Sequence, residues 1–324
     1  MSNTTPASFH GLHHVTAVTA DAAANLDFYT RTLGMRLVKK TVNQDDVSAY
    51  HLFYADAKGS AGTDLTFFDW AGIRRARTGA GAVSETALRV LGDAATLELW
   101  ADWFRKEGVT HGAIEERSGL PTLPFFDGEN QALRLVAQPR DATPDAFHPW
   151  PGSPVALDAA IVSLASVSLT VGQPETTAAF LTQVLGFRQH ATEAALFETG
   201  PGGPGAQLYL HGSDHPASQG AGGVHHVAWH VTDTDQLFAW QQRLADAGYQ
   251  SSGPVNRHYF QSLYFRIPGG ILFEIATDGP GFTADGEDAA HLGETLALPP
   301  FLEPRRAQIE AGLKPLEYKP ILRS

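Results

Sequence analysis

The stretch from Phe28 to Arg36 returns at Phe180 to Arg188, an offset of 152 residues, with Phe, Thr, Leu, Gly and Arg at matching places. An internal repeat narrows the choice of fold more than composition does, because each copy must be one supersecondary unit used again. A strand-like run precedes each copy, at 12–18 and at 164–170. Each copy ends a helical pattern on Leu-Gly, the residue type found just past a helix C-terminus, where the left-handed backbone is open to Gly. Two weaker copies keep the same order. One has a strand at 85–90, a helix at 95–106 and a stop at Gly108; the other has a strand at 224–231, a helix at 235–247 and a stop at Gly248. Three short strand candidates follow each helix. In the last copy they lie at 248–252, 259–267 and 271–277, with Pro268-Gly269-Gly270 turning the final hairpin. The chain therefore reads as an α+β protein of four βαβββ units, near 11–70, 84–139, 160–212 and 222–277. The Pro-, Asp- and Gly-rich stretch around 139–154 reads as a divider. It separates an N-terminal half (1–140) from a C-terminal half (159–278) across a linker at 141–158. An extension, 279–324, follows, with a short helix expected at 304–312 and a path around the outside.

Charge and composition remove several classes of partner. A formal charge of −12 lacks the basic footprint that nucleic-acid phosphates require, and Arg74-Arg75 and Arg305-Arg306 read as solvated surface. No apolar run approaches the roughly 20 residues of a membrane helix. The start, Met1 to Pro6, has neither the basic residues nor the apolar core of a secretory signal, so a cytoplasmic enzyme is expected. With 43% hydrophobic residues the chain can bury a sizeable core, and with no cysteine it has neither disulfides nor thiolate ligands. A small, uncharged or weakly acidic ligand suits this balance.

The chemistry concentrates in two strands of like pattern, Leu12-His13-His14-Val15-Thr16-Ala17-Val18 and Val224-His225-His226-Val227-Ala228-Trp229-His230-Val231. Alternation places His14 with Thr16, and His226 with Ala228 and His230. The first His of each pair shares a face with Val15 or Val227, the face expected to pack. Glu274 stands mid-strand among apolar residues, where a carboxylate is costly unless paired or bound to a cation. A lone strand His is ordinarily a hydrogen-bonded core residue, and Glu274 alone could serve Arg266 or Arg257. Two matched His pairs, a repeat and a buried Glu together favour a metal site of His14, His226 and Glu274. Two imidazoles and one carboxylate leave about three positions open on an octahedral ion, the pattern of non-haem Fe(II), though Zn(II) and Mn(II) take the same donors. The repeat puts Ser166 where the first unit has His14, so a single site is expected. His51, His111, His148, His190, His211, His215 and His291 read as surface or supporting residues, and Asp45-Asp46 and Glu115-Glu116 as solvated faces.

These residues resemble the vicinal oxygen chelate superfamily, and within it the ring-cleaving dioxygenases that open hydroquinones. The resemblance covers most of the chain. It includes Phe28-Tyr29, the run from Leu33 to Thr41, Tyr50 to Asp56, Gly59 and Gly62-Thr63. Its more specific part is Asn256 to Phe260, Tyr264-Phe265-Arg266 and Pro268-Gly269-Gly270. The resemblance implies four βαβββ modules paired into two cupped mixed β-sheets. It also implies Fe(II), with Mn(II) as second choice, on His14, His226 and Glu274. His13, Thr16, His225, Arg257 and Tyr264 would surround an aromatic diol that reacts with O2. Tyr264 would donate to an oxygen, Arg257 stabilise developing charge and His225 move a proton. His258 departs from the pattern, which has Gly after Asn-Arg. Two other readings remain: a glyoxalase-type lyase or isomerase, which needs a further carboxylate for which only Asp64 and Asp69 are near, and a metal-free ligand-sequestering protein. Sheet edges of such units often pair, which would give a homo-oligomer.

Overall fold

The structure, a computed structural model, describes residues 8–139 and 148–318. The start, Met1 to Pro6, and residues 141–147 of the expected linker lie outside the described residues. The first unit runs β1 (Leu12–Thr19), α1 (Ala22–Asp27), β2 (Arg36–Val42), β3 (Tyr50–Ala55) and β4 (Asp64–Asp69). The second runs β5 (Ala82–Leu91), α2 (Ala94–Glu107), β6 (Glu115–Arg117), β7 (Leu120–Phe126) and β8 (Ala132–Gln138). The third runs β9 (Ile161–Val171), α3 (Pro174–Gln183), β10 (Arg188–Gln189), β11 (Leu196–Glu198) and β12 (Gln207–Gly212). The fourth runs β13 (Val224–Val231), α4 (Thr234–Asp246), β14 (Ser251–Asn256), β15 (Gln261–Arg266) and β16 (Leu272–Thr277), and α5 (Arg306–Gly312) lies in the extension.

Local chemistry accounts for the helix ends. Asp21, Asp93 and Asp233 cap α1, α2 and α4 by accepting hydrogen bonds from first-turn backbone N–H groups. Pro174 opens α3, where its missing N–H costs nothing. Gly34 and Gly186, the repeated stops, adopt φ of 71° and 74°. On α4, Leu237, Trp240 and Leu244 share one face and are fully buried, and Trp240 stacks on Phe9 at 4.3 Å. Burying each such side chain contributes about 1.5–3 kcal/mol, so this stripe fixes the helix on the sheet.

The strands form two eight-stranded mixed sheets, ordered β14-β15-β16-β13-β1-β4-β3-β2 and β10-β11-β12-β9-β5-β8-β7-β6. The first unit thus pairs with the fourth and the second with the third, through β1–β13 and β5–β9. Each sheet draws strands from both sides of the 141–158 stretch. Two bulges interrupt β1–β13: His13 is the extra residue between the pairs Leu12–Trp229 and His14–Ala228, and His225 the extra residue between Thr16–His226 and Ala17–Val224. A bulge re-aims a side chain.

The extension departs from the expected outer path. Phe282 and Leu292 enter the cup of the first sheet and pack with Val38, Phe53, Ala228, Tyr259 and Phe260. Lys39, fully buried, ties the extension down through Asp285 (2.8 Å) and Glu287 (2.5 Å).

Candidate metal centre and its cavity

Parallel pairing of β13 with β16 sets Ala228 beside Glu274, and the β1–β13 register sets His14 beside Ala228. Three donor atoms converge there, all from buried residues. His226 Nε2 lies 2.9 Å from Glu274 Oε2, and His14 Nε2 lies 3.3 Å from both His226 Nε2 and Glu274 Oε2. Ligands about 2.1 Å from one cation and at right angles to each other stand about 3.0 Å apart. The other carboxylate oxygen, Oε1, accepts from Ser262 Oγ at 2.5 Å.

The proton positions follow from the neighbours. His13 Nε2 is 3.1 Å from the carbonyl of Thr277, so it must donate, and His13 Nδ1 is then bare. That nitrogen lies 2.9 Å from His14 Nδ1, which must carry the hydrogen, leaving His14 Nε2 as a lone pair aimed at the cluster. His225 repeats the contact, its Nδ1 lying 2.8 Å from His226 Nδ1. Burial, then the adjacent His14, pushes His13 down to about 3; burial, then His226, does the same for His225. Burial also pushes His226 down, so these imidazoles are neutral at neutral pH. Burial opposes ionisation of Glu274, whereas a proton on His14 or His226 outweighs burial and holds the carboxyl well below its ordinary range. Without that proton, two lone pairs and a carboxylate oxygen with no hydrogen-bond partner among the described residues face one another. A cation reconciles all three at once. The donor set fits a metal ion.

Alternation alone put His13 and His225 on the packed face. The bulges overturn this by bringing both rings to the side of their neighbours. His225 lines the cavity above the cluster. His13 does not; it supports His14 from behind. Thr16 is likewise absent from the lining. It is fully buried, and its hydroxyl bonds that of Thr66 at 2.8 Å, which contacts His51 Nε2 at 3.0 Å.

The cavity encloses about 330 Å³ and is walled by Phe53, Phe68, Trp70, Tyr259, Phe260 and Leu272 around the polar groups. Arg257 and Tyr264 both line it. Arg257 Nε donates to the Tyr264 hydroxyl at 3.1 Å, and its two terminal nitrogens clasp Asp45 at 3.2 and 3.0 Å. Burial, then the charge of Glu274, raises Tyr264, which stays protonated. Glu274 serves neither Arg257 nor Arg266. Asp45 is exposed, yet it is an ion-pair partner at the cavity mouth and not free surface; Glu115 likewise pairs with Arg134.

Sequence reading passed over His51, the largest omission. Its ring lies between Phe53 (4.0 Å) and Phe68 (4.4 Å) in the cavity wall, and burial, then the neighbouring His14 and His226, keeps it well below its ordinary value. Its place in an alternating strand, next to Phe53, was the available signal. His258 adopts φ of 71°, the left-handed backbone that suits Gly, which explains why Gly belongs to the pattern there.

Comparison with known proteins agrees with this architecture. Residues 11–148 and 163–275 match the profile of the glyoxalase/bleomycin resistance protein/dioxygenase superfamily. The chain is 44% identical over 318 residues to MhqA of Bacillus subtilis (strain 168), assigned as a ring-cleaving dioxygenase, covering 95% of this chain and 99% of that one. It is 31% identical over 311 residues to a chlorohydroquinone/hydroquinone 1,2-dioxygenase of Sphingobium indicum, covering 92% and 94%. A solved Bacillus subtilis structure, assigned as a dioxygenase, superposes with a TM-score of 0.88 at 36% identity, covering 96% and 98%. Glyoxalase I of Zea mays, at 14% identity and a TM-score of 0.59 over 83% of this chain and 92% of that one, shares the fold.

Proposed function

The chain belongs to the glyoxalase/bleomycin resistance protein/dioxygenase superfamily and is an oxidoreductase of its ring-cleaving dioxygenase branch; on that premise we propose that it opens a hydroquinone-type aromatic diol with O2, using Fe(II) held by His14, His226 and Glu274. The observation that carries this reading is the facial set of two unprotonated imidazole nitrogens and one carboxylate, open toward an aromatic cavity. A metal held by His14, His226 and Glu274 would supply activation of O2 and favour the ionised form of the diol.

The protein's own groups divide the remaining work. Phe53, Phe68 and Trp70 exclude water and hold a ring. Tyr264, kept protonated and fixed by Arg257, donates to a substrate oxygen. The Arg257 charge behind it steadies negative charge building on that oxygen. With the tautomer that His13 takes, His225 accepts from His226 at Nδ1 and carries its proton on Nε2, so it acts as a donor into the cavity. His51, neutral and part of the wall, accepts the proton that the phenol gives up.

A glyoxalase-type reaction fits less well. Asp64 lies outside the converging donor set, and burial, then the charge of Asp56, raises it well above its ordinary value. Asp69 lies toward Lys314 and Asp21. Neither supplies a fourth donor.

Protein loaded anaerobically with Fe(II) is expected to consume O2 on addition of methylhydroquinone, with catechol as the comparison diol. No uptake with any para- or ortho-diol overturns the reading. His226→Ala is expected to lose both iron and uptake, and full activity in that variant would show that the ligands are wrongly assigned.

A further inference from the structure

A second cavity, about 310 Å³, adjoins the first, and the two share Trp70 and His225 in their walls. These rings meet edge to face at 5.6 Å and form the partition. The second cavity lies where the segment before β5 crosses the segment before β13, joined by the bridges Arg75–Ala221 and Arg77–Ser218. Its chemistry is unlike that of the first. Arg77 and Arg266 line it, and among the described residues neither has a carboxylate partner. Arg77 donates to the Ser218 hydroxyl and Arg266 to the carbonyl of Gly270. Gln131, 2% exposed, lines it with both side-chain amide atoms lacking any protein partner. The lining carboxylate, Glu85, is already engaged by Arg134 and Arg117. In a chain of net charge −12, two unpaired guanidiniums around an unsatisfied buried amide make a local anion site.

Ring cleavage changes the charge of its ligand. Both atoms of O2 enter the diol as one ring C–C bond breaks. The hydroxyl-bearing carbon becomes a carboxyl group and its neighbour a carbonyl, the diol itself supplying the four electrons. The carboxyl group ionises at neutral pH, so a neutral ring enters and an anion must leave. We propose that the second cavity receives the carboxylate of the ring-opened product, which passes the Trp70–His225 partition. This rests on the ring-cleaving reading given above.

The test is calorimetric titration of metal-free protein with cis,cis-muconate, a six-carbon dicarboxylate, with methylhydroquinone and sulfate as competitors. Muconate is expected to bind. The double variant Arg77→Gln/Arg266→Gln is expected to weaken it at least tenfold, at unchanged melting temperature and metal content. Arg31→Gln, remote and exposed, should leave the affinity intact. Muconate and methylhydroquinone are expected to bind together. No binding of muconate, equal affinity in the double variant, displacement by methylhydroquinone, or sulfate binding as tightly as muconate each overturns the proposal. No turnover is involved, so absent O2 uptake by the iron-loaded protein would count against ring cleavage and leave the titration intact.

Discussion

Thr66 in β4 occupies the place that Glu274 occupies in β16. Thr16, two residues after His14, pairs with Thr66, as Ala228, two residues after His226, pairs with Glu274. The supporting contacts repeat as well: Ser262 holds Glu274, and His51 contacts Thr66. One side of the site is thus a carboxylate clamp and the other a hydroxyl backed by an imidazole. The second sheet carries the same register. Glu85 pairs with Ser168 as His226 does with Thr16, and Arg134 pairs with Ala87 as Glu274 does with Ala228. There a guanidinium bonded to Glu85 at 3.0 Å fills the place of an ion and its carboxylate.

Thr66→Glu should convert the open set into a four-donor set. Metal affinity, measured by competition with a chromophoric chelator, is expected to rise about tenfold or more while O2 uptake falls, because a reactant position is filled. Unchanged affinity would show that position 66 does not face the ion.

His13 sets the tautomer of His14 without lining the cavity. His13→Leu should weaken metal binding by about 10–100-fold, the usual loss when a ligand's outer partner is removed. His13→Gln, whose carbonyl can accept from His14 Nδ1, should recover part of it. Equal losses in both variants, each with a lowered melting temperature, would point to packing instead.

Asp45 occupies the fork of Arg257, so the cavity mouth offers no free cation to a carboxylated ring. Asp45→Asn should lower KM for a carboxyl-bearing diol about tenfold and leave the uncharged diol within about twofold. Asp45 is exposed, so solvent screens the pair and little effect on stability is expected.

Asp127 accepts from Tyr29 and from two backbone N–H groups, yet burial raises it from 3.8 to about 6. Its folded pKa lies above the unfolded one, so the folded state binds the extra proton between those values. Its ionisation therefore costs stability above about pH 6, and the cost fades as pH falls toward 3.8. The shift of about 2 units corresponds to on the order of 3 kcal/mol. Asp127→Asn should be more stable than the parent at pH 8, by chemical denaturation, and lose that advantage near pH 4. A constant difference across this range would exclude the titration.

How much was legible in the chain can be judged from particular residues. Period and punctuation gave the four units: the Gly34 and Gly186 stops, the Pro268-Gly269-Gly270 turn and the apolar spacing of α4 are local properties that need no partner to be read. His14, His226 and Glu274 were also legible, since ionisable groups inside apolar strands demand an explanation wherever the chain runs. The destination of His13 and His225 was not. A one-residue bulge reverses the face of a side chain, and bulges arise from how two strands register, 212 residues apart. His51, Asp45 and Thr66 were hidden for the same reason. Each is unremarkable in its own segment, and its role comes from the strand or loop that pairing sets beside it. Sequence alone determined the repeating unit and its costly polar residues; tertiary pairing decided which of those residues share a cavity, because register and bulges are properties of two strands and not of one.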